Sequence, residues 1–148
     1  MRELVFALEF RGQAGPVPGS DSKRQARSTA PSQTLSTVLG HDGVRARVEG
    51  TPGETAVLES RVERFGDGTF VEDGTITYGA AGSVTFETIG RGWVGPAPIA
   101  GWVVGGVVWN VTSGAGVFRG ALGLITSNFT VNTDGRVIDH HVARFYLP

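Results

Sequence analysis

The residues best suited to chemistry gather near the C-terminus. The stretch Val137-Ile138-Asp139-His140-His141-Val142-Ala143-Arg144-Phe145-Tyr146 sets a carboxylate and two imidazoles in a run otherwise fit for a strand. In an extended chain successive side chains point to opposite faces. Asp139 and His141 therefore share a face with Val137, Ala143 and Phe145, while His140, Arg144 and Tyr146 share the other with Ile138 and Val142. Whichever face is inward, one histidine points into the interior or near its mouth, where an imidazole can act as general acid or base near neutral pH. The bland alternative is an exposed or capped histidine near a strand start. Adjacent strand histidines diverge, so one metal ion would not take both, and only His41 remains as a third imidazole. No metal site is expected.

Two more polar residues stand on strands that ought to be apolar. Asn128 shares a face with Thr126 and Thr130, opposite Ile125, Ser127, Phe129 and Val131. It either orients a substrate carbonyl through its amide or belongs to an outward polar face. Glu72 aligns with Phe70 and Ile76, which makes it a carboxyl in an apolar surround whose pKa would rise and which could shuttle a proton. The catalytic candidates are thus His141, His140, Asp139, Asn128 and Glu72. Glu87 aligns with Thr85 and Ile89, whereas Glu59, Arg61 and Glu63 form a solvated, charge-laced face opposite Leu58, Ser60 and Val62. Trp93, Trp102, Trp109, Tyr78, Phe86, Phe129 and Tyr146 offer aromatic surface that either fills a core or lines a cavity for a hydrophobic substrate. There is no G-x-S-x-G, H-E-x-x-H, P-loop or dinucleotide fingerprint, so hydrolase, nucleotide and redox-cofactor readings lack support and no cofactor is expected.

The elements that must position these residues read as strands. Glu3–Phe10, Gly43–Glu49, Ala56–Phe65, Thr69–Tyr78, Ser83–Ile89, Trp102–Val111, Leu124–Asn132 and Arg136–Leu147 are rich in Val, Ile, Thr and aromatics, and several alternate with period two. Asp42-Gly43, Asp67-Gly68, Asp73-Gly74 and Asp134-Gly135 supply turn chemistry. No window holds a sustained helical period, and Thr34–Leu39 reads equally as a helical turn or a short strand. Gly95-Pro96-Ala97-Pro98 breaks the ladder before WVVGGVVWNV, a run apolar on both faces that would need a second cover from a neighbouring subunit or a flap. Arg11–Gln33 has no periodicity and reads as a flexible loop, either solvated or a basic flap whose Lys23, Arg24 and Arg27 would meet an anionic group. About eight strands with short turns predict a closed antiparallel eight-stranded β-barrel or a sandwich.

The densest glycine stretch is Gly114-Ala115-Gly116-Val117-Phe118-Arg119-Gly120-Ala121-Leu122-Gly123. Physically it is a tight turn that should return Val117 and Phe118 to the core and clear close backbone approaches at Gly120 and Gly123. It also resembles the turn of form G-x-G-x-[FY]-x-x-[AV]-x-G that precedes the penultimate strand in the allene oxide cyclase and dirigent superfamily of small barrels. The block from Gly105 to Tyr146 follows that family's order of strand, glycine turn, strand and closing hairpin. The resemblance implies an eight-stranded barrel of allene oxide cyclase type, often trimeric, with an apolar cavity that steers cyclisation or coupling of reactive intermediates. No family catalytic residue carries over, because no motif matches at those positions.

Composition bounds the rest. At 148 residues the chain is one domain, 1–148, with a net charge of −1 from 13 basic and 14 acidic residues, so neither nucleic acid nor an anionic membrane is an expected partner. There is no cysteine, which removes disulfides and thiolate chemistry. MRELVFALEF reads as a strand and not as a signal or membrane segment, which makes a cytoplasmic location the expectation and leaves the sequons at Asn110 and Asn128 without glycan. The combined expectation is a cofactor-free isomerase or cyclase of secondary metabolism that holds a small hydrophobic molecule by shape with limited acid–base help and forms a homo-oligomer, a dimer or trimer. A non-catalytic carrier or sensor barrel, and a structural oligomer with a filled lumen, remain alternatives.

Overall fold

The computed structural model describes the backbone of residues 1–31, 33–41, 43–50 and 55–148. The chain is all-β. Its strands are β1 (Arg2–Pro16), β2 (Lys23–Ala30), β3 (Gln33–Gly40), β4 (Gly43–Gly50), β5 (Ala56–Arg64), β6 (Thr69–Tyr78), β7 (Gly82–Thr88), β8 (Gly92–Pro96), β9 (Trp102–Gly116), β10 (Leu122–Asn132) and β11 (Arg136–Leu147). Among the described residues the only helical piece is a 3-10 turn at Gly79–Ala81.

The sheet closes on itself. Antiparallel neighbours run β1, β2, β5, β6, β7, β9, β10, β11 and back to β1, an up-and-down barrel of eight strands. The seam is long: Arg2 pairs with Leu147 at one end and Gln13 with Arg136 at the other. Strand β8 continues the line of β7 along β9 after a break at residues 89–91 and touches β6 only at Thr69 and Phe70. The hairpin β3–β4 is a separate two-stranded sheet inserted between β2 and β5.

Two expectations change here. The segment Arg11–Gln33 is mostly strand, not loop: β1 runs on to Pro16, and Lys23–Ala30 forms β2, hydrogen-bonded to both β1 and β5. Its Lys-Arg-Gln-Ala-Arg-Ser-Thr-Ala sequence lacks the usual strand formers, and pairing on both sides overrides that weak propensity. Small Ser28 and Ala30 face inward, while Arg27 projects outward 3.4 Å from Glu59. Conversely, Gly43–Glu49 is a strand but lies in the inserted hairpin, so β2 takes its place in the barrel. Thr34–Leu39 falls within β3. Asp73-Gly74 sits inside β6 and is no turn, while Gly68 and Gly135 do turn with positive φ of 83° and 81°. Asp42 lies outside the described residues.

The outer face of β9, β10, β11 and β1 carries Val108, Leu124, Val142 and Val5, all exposed in the single chain. Charged pairs also stud the exterior, including Arg61 with Asp73 at 2.6 Å and Arg144 with Glu3 at 2.6 Å. No helix among the described residues is long and apolar enough to cross a membrane.

The glycine stretch shuts one end of the barrel. Phe118 turns inward and is buried, whereas Val117, expected in the core, points to solvent at 58 % exposure. The turn is held by Val117 N–H donating to the Ala81 carbonyl at 2.9 Å and Ala121 N–H to the Phe118 carbonyl at 2.9 Å. A Cβ on Gly114 would lie 1.9 Å from the Phe118 carbonyl oxygen, so no side chain fits there without moving the turn. Gly114→Ala should therefore destabilise the fold by about 2 kcal/mol or more. Gly15→Ala, where an added Cβ meets nothing within 4 Å, should change it by less than about 0.5 kcal/mol. Urea unfolding of both variants beside the parent checks this.

Candidate functional site

Closure gives the barrel a dry inside, and aromatic rings fill half of it. At the Phe118 end, Phe118 packs on Tyr78 at 5.2 Å and on Phe145 at 5.7 Å, and Phe6 meets Tyr78 edge-on at 5.3 Å. A middle layer follows, in which Phe86 stacks on Trp109 at 4.1 Å. His141 belongs to this layer: its ring lies 4.4 Å from that of Phe10 and meets Trp109 edge-on at 5.1 Å.

The opposite half is a recess open to solvent. Its inner space is about 80 Å³. Phe70, Val94, Val103, Phe129, Val131 and Val137 are among its apolar walls. Two carboxyl groups face into it, Glu72 from β6 and Asp139 from β11, and Arg24 and Arg64 stand among its lining residues.

Asp139 is buried and held from both sides. The Ser127 hydroxyl donates to Oδ1 at 2.7 Å, and His141 Nε2 lies 2.8 Å from Oδ2. Register explains the cluster: Ser127 on β10 stands directly across from His141, and Phe129 across from Asp139, so all four side chains share the inner face. Among the described residues His141 Nδ1 is buried without a partner. The proton of a neutral imidazole is therefore best assigned to Nε2, donating to Asp139 and leaving the carboxylate with two donors.

Glu72 is placed differently. Its backbone is pinned where β7 breaks from the ladder, because Thr88 Oγ1 accepts from Glu72 N–H at 2.7 Å and donates to the Glu72 carbonyl at 2.7 Å. Its carboxyl lies in the apolar recess, and burial first, with help from the charges of Asp139 and Asp73, pushes its pKa up to about 8. The Ser60 hydroxyl leans the other way, near enough to favour the anion, yet its buried Oγ completes no hydrogen bond among the described residues. The recess thus holds Glu72, mostly protonated at neutral pH, beside Asp139, whose carboxyl is hydrogen-bonded to Ser127 and His141. A pair whose environments push them into different protonation states can act as acid and base.

The expected site residues divide sharply. Asp139, His141, Glu72 and Phe129 face the interior, with Asp139, Glu72 and Phe129 lining the recess and His141 behind Asp139. His140 is on the outside, 3.3 Å from Glu9, and Asn128, across from it in the ladder, is exposed too. Period two along β10 and β11 fixes both outward once Asp139 and His141 are in. Tyr146 is outward for the same reason, and Trp93 lies on the exterior at 55 % exposure. Trp102 shares the outward parity of Val108 on β9. Trp109 and Phe86 are core, and Tyr78 belongs to the plug, where burial raises its pKa. Sequence reasoning missed Ser127, though it shares a period-two face with Ile125 and Phe129. It also missed Arg64, which continues the inward face of Leu58, Ser60 and Val62.

Comparison with protein-family models, with curated proteins and with solved structures finds no match for this chain. The site therefore has to be read from its own chemistry.

The raised Glu72 pKa has a sign in stability. The folded state keeps this proton above the ordinary value of 4.5, so its contribution is most favourable at low pH and is lost as pH rises from about 4.5 to about 8. Glu72→Gln, which keeps the shape and cannot ionise, should be less sensitive to pH than the parent across that window and the more stable of the two above pH 8. Urea midpoints measured from pH 5 to pH 9 test this. Parallel curves would place Glu72 in an ordinary solvated environment.

Proposed function

We propose that the chain is a cofactor-free isomerase or cyclase that moves a proton on a small hydrophobic substrate held in the open half of the barrel. The observation that carries the reading is the pairing of Glu72 and Asp139 in one apolar-walled recess, with the Glu72 pKa pushed up to about 8 and the Asp139 carboxyl held in place by Ser127 and His141. Glu72 is the group that gives or takes the proton. Asp139 supplies a fixed negative charge for a developing positive centre, and His141 orients Asp139 without reaching the recess itself. Apolar walls hold the reacting carbon skeleton close and exclude water, which strengthens both electrostatic effects. The likeness of the glycine turn and C-terminal hairpin to allene oxide cyclase and dirigent barrels supports the same reading. A water-facing exterior fits the expected cytoplasmic location, since its ion pairs would be costly against lipid.

A non-catalytic carrier would use the same recess, and the small inner space of about 80 Å³ constrains both readings. Ligand-binding pockets usually enclose about 300–1,000 Å³, so a substrate must lie mostly in the mouth with only its reacting end reaching the carboxyls.

A general-base probe separates the two readings. 5-Nitrobenzisoxazole is apolar and opens when a base removes its ring C–H proton. The parent should accelerate this opening with a rate that rises through pH 8, and Glu72→Gln should lose about 10²-fold or more. His140→Ala, altered on the outer face, should match the parent. Probe binding with no acceleration would leave the carrier, and an equal accelerated rate in Glu72→Gln would remove Glu72 as the proton-transfer group.

A further inference from the structure

The arginines of β2 and β5 fall into two sets. On the outer face Arg27 has Glu59 at 3.4 Å and Arg61 has Asp73 at 2.6 Å, so each cation meets an anion. On the inner face Arg24 and Arg64 line the mouth of the recess, and neither guanidinium has an ion pair or hydrogen bond among the described residues. The two are close enough to act on each other. Arg64 has its pKa lowered, first by burial and then by the charge of Arg24. Two carboxyls share the recess, Glu72, held mostly neutral at pH 7, and Asp139, hydrogen-bonded to Ser127 and His141. Among the described residues neither forms an ion pair with Arg24 or Arg64.

We infer that Arg24 and Arg64 form an anion clamp, and that the ligand of the recess is an amphiphile: an apolar body that reaches toward Glu72, with one carboxylate or phosphate group held at the mouth. This rests on the proposed site and names its substrate class. The reason is geometric as well as electrostatic. Two guanidinium forks offer parallel donors that match the oxygens of a planar or tetrahedral anion. Their mutual repulsion in the empty mouth is relieved when an anion sits between them. A neutral hydrocarbon would leave that repulsion in place. The walls behind them, Val62, Phe70, Val94, Phe129 and Val131, take an apolar chain and offer a second anion nothing. The clamp also explains how a molecule larger than the inner space binds productively: the anchored end stays in the mouth while the reacting end is pressed onto the two carboxyls.

Calorimetric titration with octanoate, octyl phosphate and octanol tests the clamp. In the parent at low salt, octanoate or octyl phosphate should bind at least tenfold tighter than octanol, and added salt should erase the difference. The preferred anion identifies whether the clamp takes a carboxylate or a phosphate. Arg24→Gln and Arg64→Gln, singly and together, should bring the anion down to the affinity of octanol while octanol binding stays as in the parent. Arg27→Gln and Arg61→Gln, which remove the same charge from the outer face, should keep the preference. Equal binding of all three probes by the parent, unchanged in Arg24→Gln/Arg64→Gln, overturns the clamp but leaves the apolar recess. No binding of any probe overturns the recess as a ligand site altogether, and the clamp with it.

Discussion

The ladder between β1 and β11 is the constraint on which everything else depends. Without it the chain would be an open, twisted sheet with one apolar face to cover. With the seam closed, the inner face of eight strands is turned away from bulk water at once. The sheet then needs no second layer, and its inner face becomes the core. It also leaves polar residues of inward parity in an apolar surround. Asp139, His141, Ser127 and Glu72 are such residues, and their chemistry follows from the closure.

The interior resolves into a filled half and an open half because of where the bulk lies. Phe118 is brought in by the glycine turn, and with Phe6, Tyr78 and Phe145 it stoppers one end. Trp109, Phe86 and Phe10 make the next layer. Beyond them the inward residues mix apolar walls such as Phe70, Phe129 and Val131 with small or polar Ala14, Ala26, Ser28, Glu72 and Asp139. The lumen opens there, and the carboxyls sit in that open half. His141 marks the boundary from the filled side, packed between Phe10 and Trp109 while it holds Asp139 toward the open one.

Much of this was legible in the sequence, and the failures have physical causes. Period two placed Asp139 with His141 and Glu72 with Phe70 and Ile76, and strand count with Asp-Gly turns pointed to a barrel. Which face of β11 is inward was not decidable from alternation alone, since Val137 and Ile138 are equally apolar. His140, Asn128 and Tyr146 are therefore candidates on alternation alone, and the pairing fixes them outward. The β2 segment reads as loop because propensity sees isolated residues, and its ladders on both sides come from distant partners. Arg64 is hard to read for a related reason: an arginine ending a charged strand looks like an outer-face residue, and only the closed sheet shows that it lines the recess while still exposed to solvent.

The account turns on Glu72 holding its proton in the recess at neutral pH. Carbon-13 NMR of the glutamate side-chain carboxyls, with Glu72 assigned by its loss in Glu72→Gln, reads this directly. A Glu72 midpoint near pH 8 is the predicted result. A midpoint in the ordinary glutamate range, at about 4.3, would show a carboxyl in water and contradict the account.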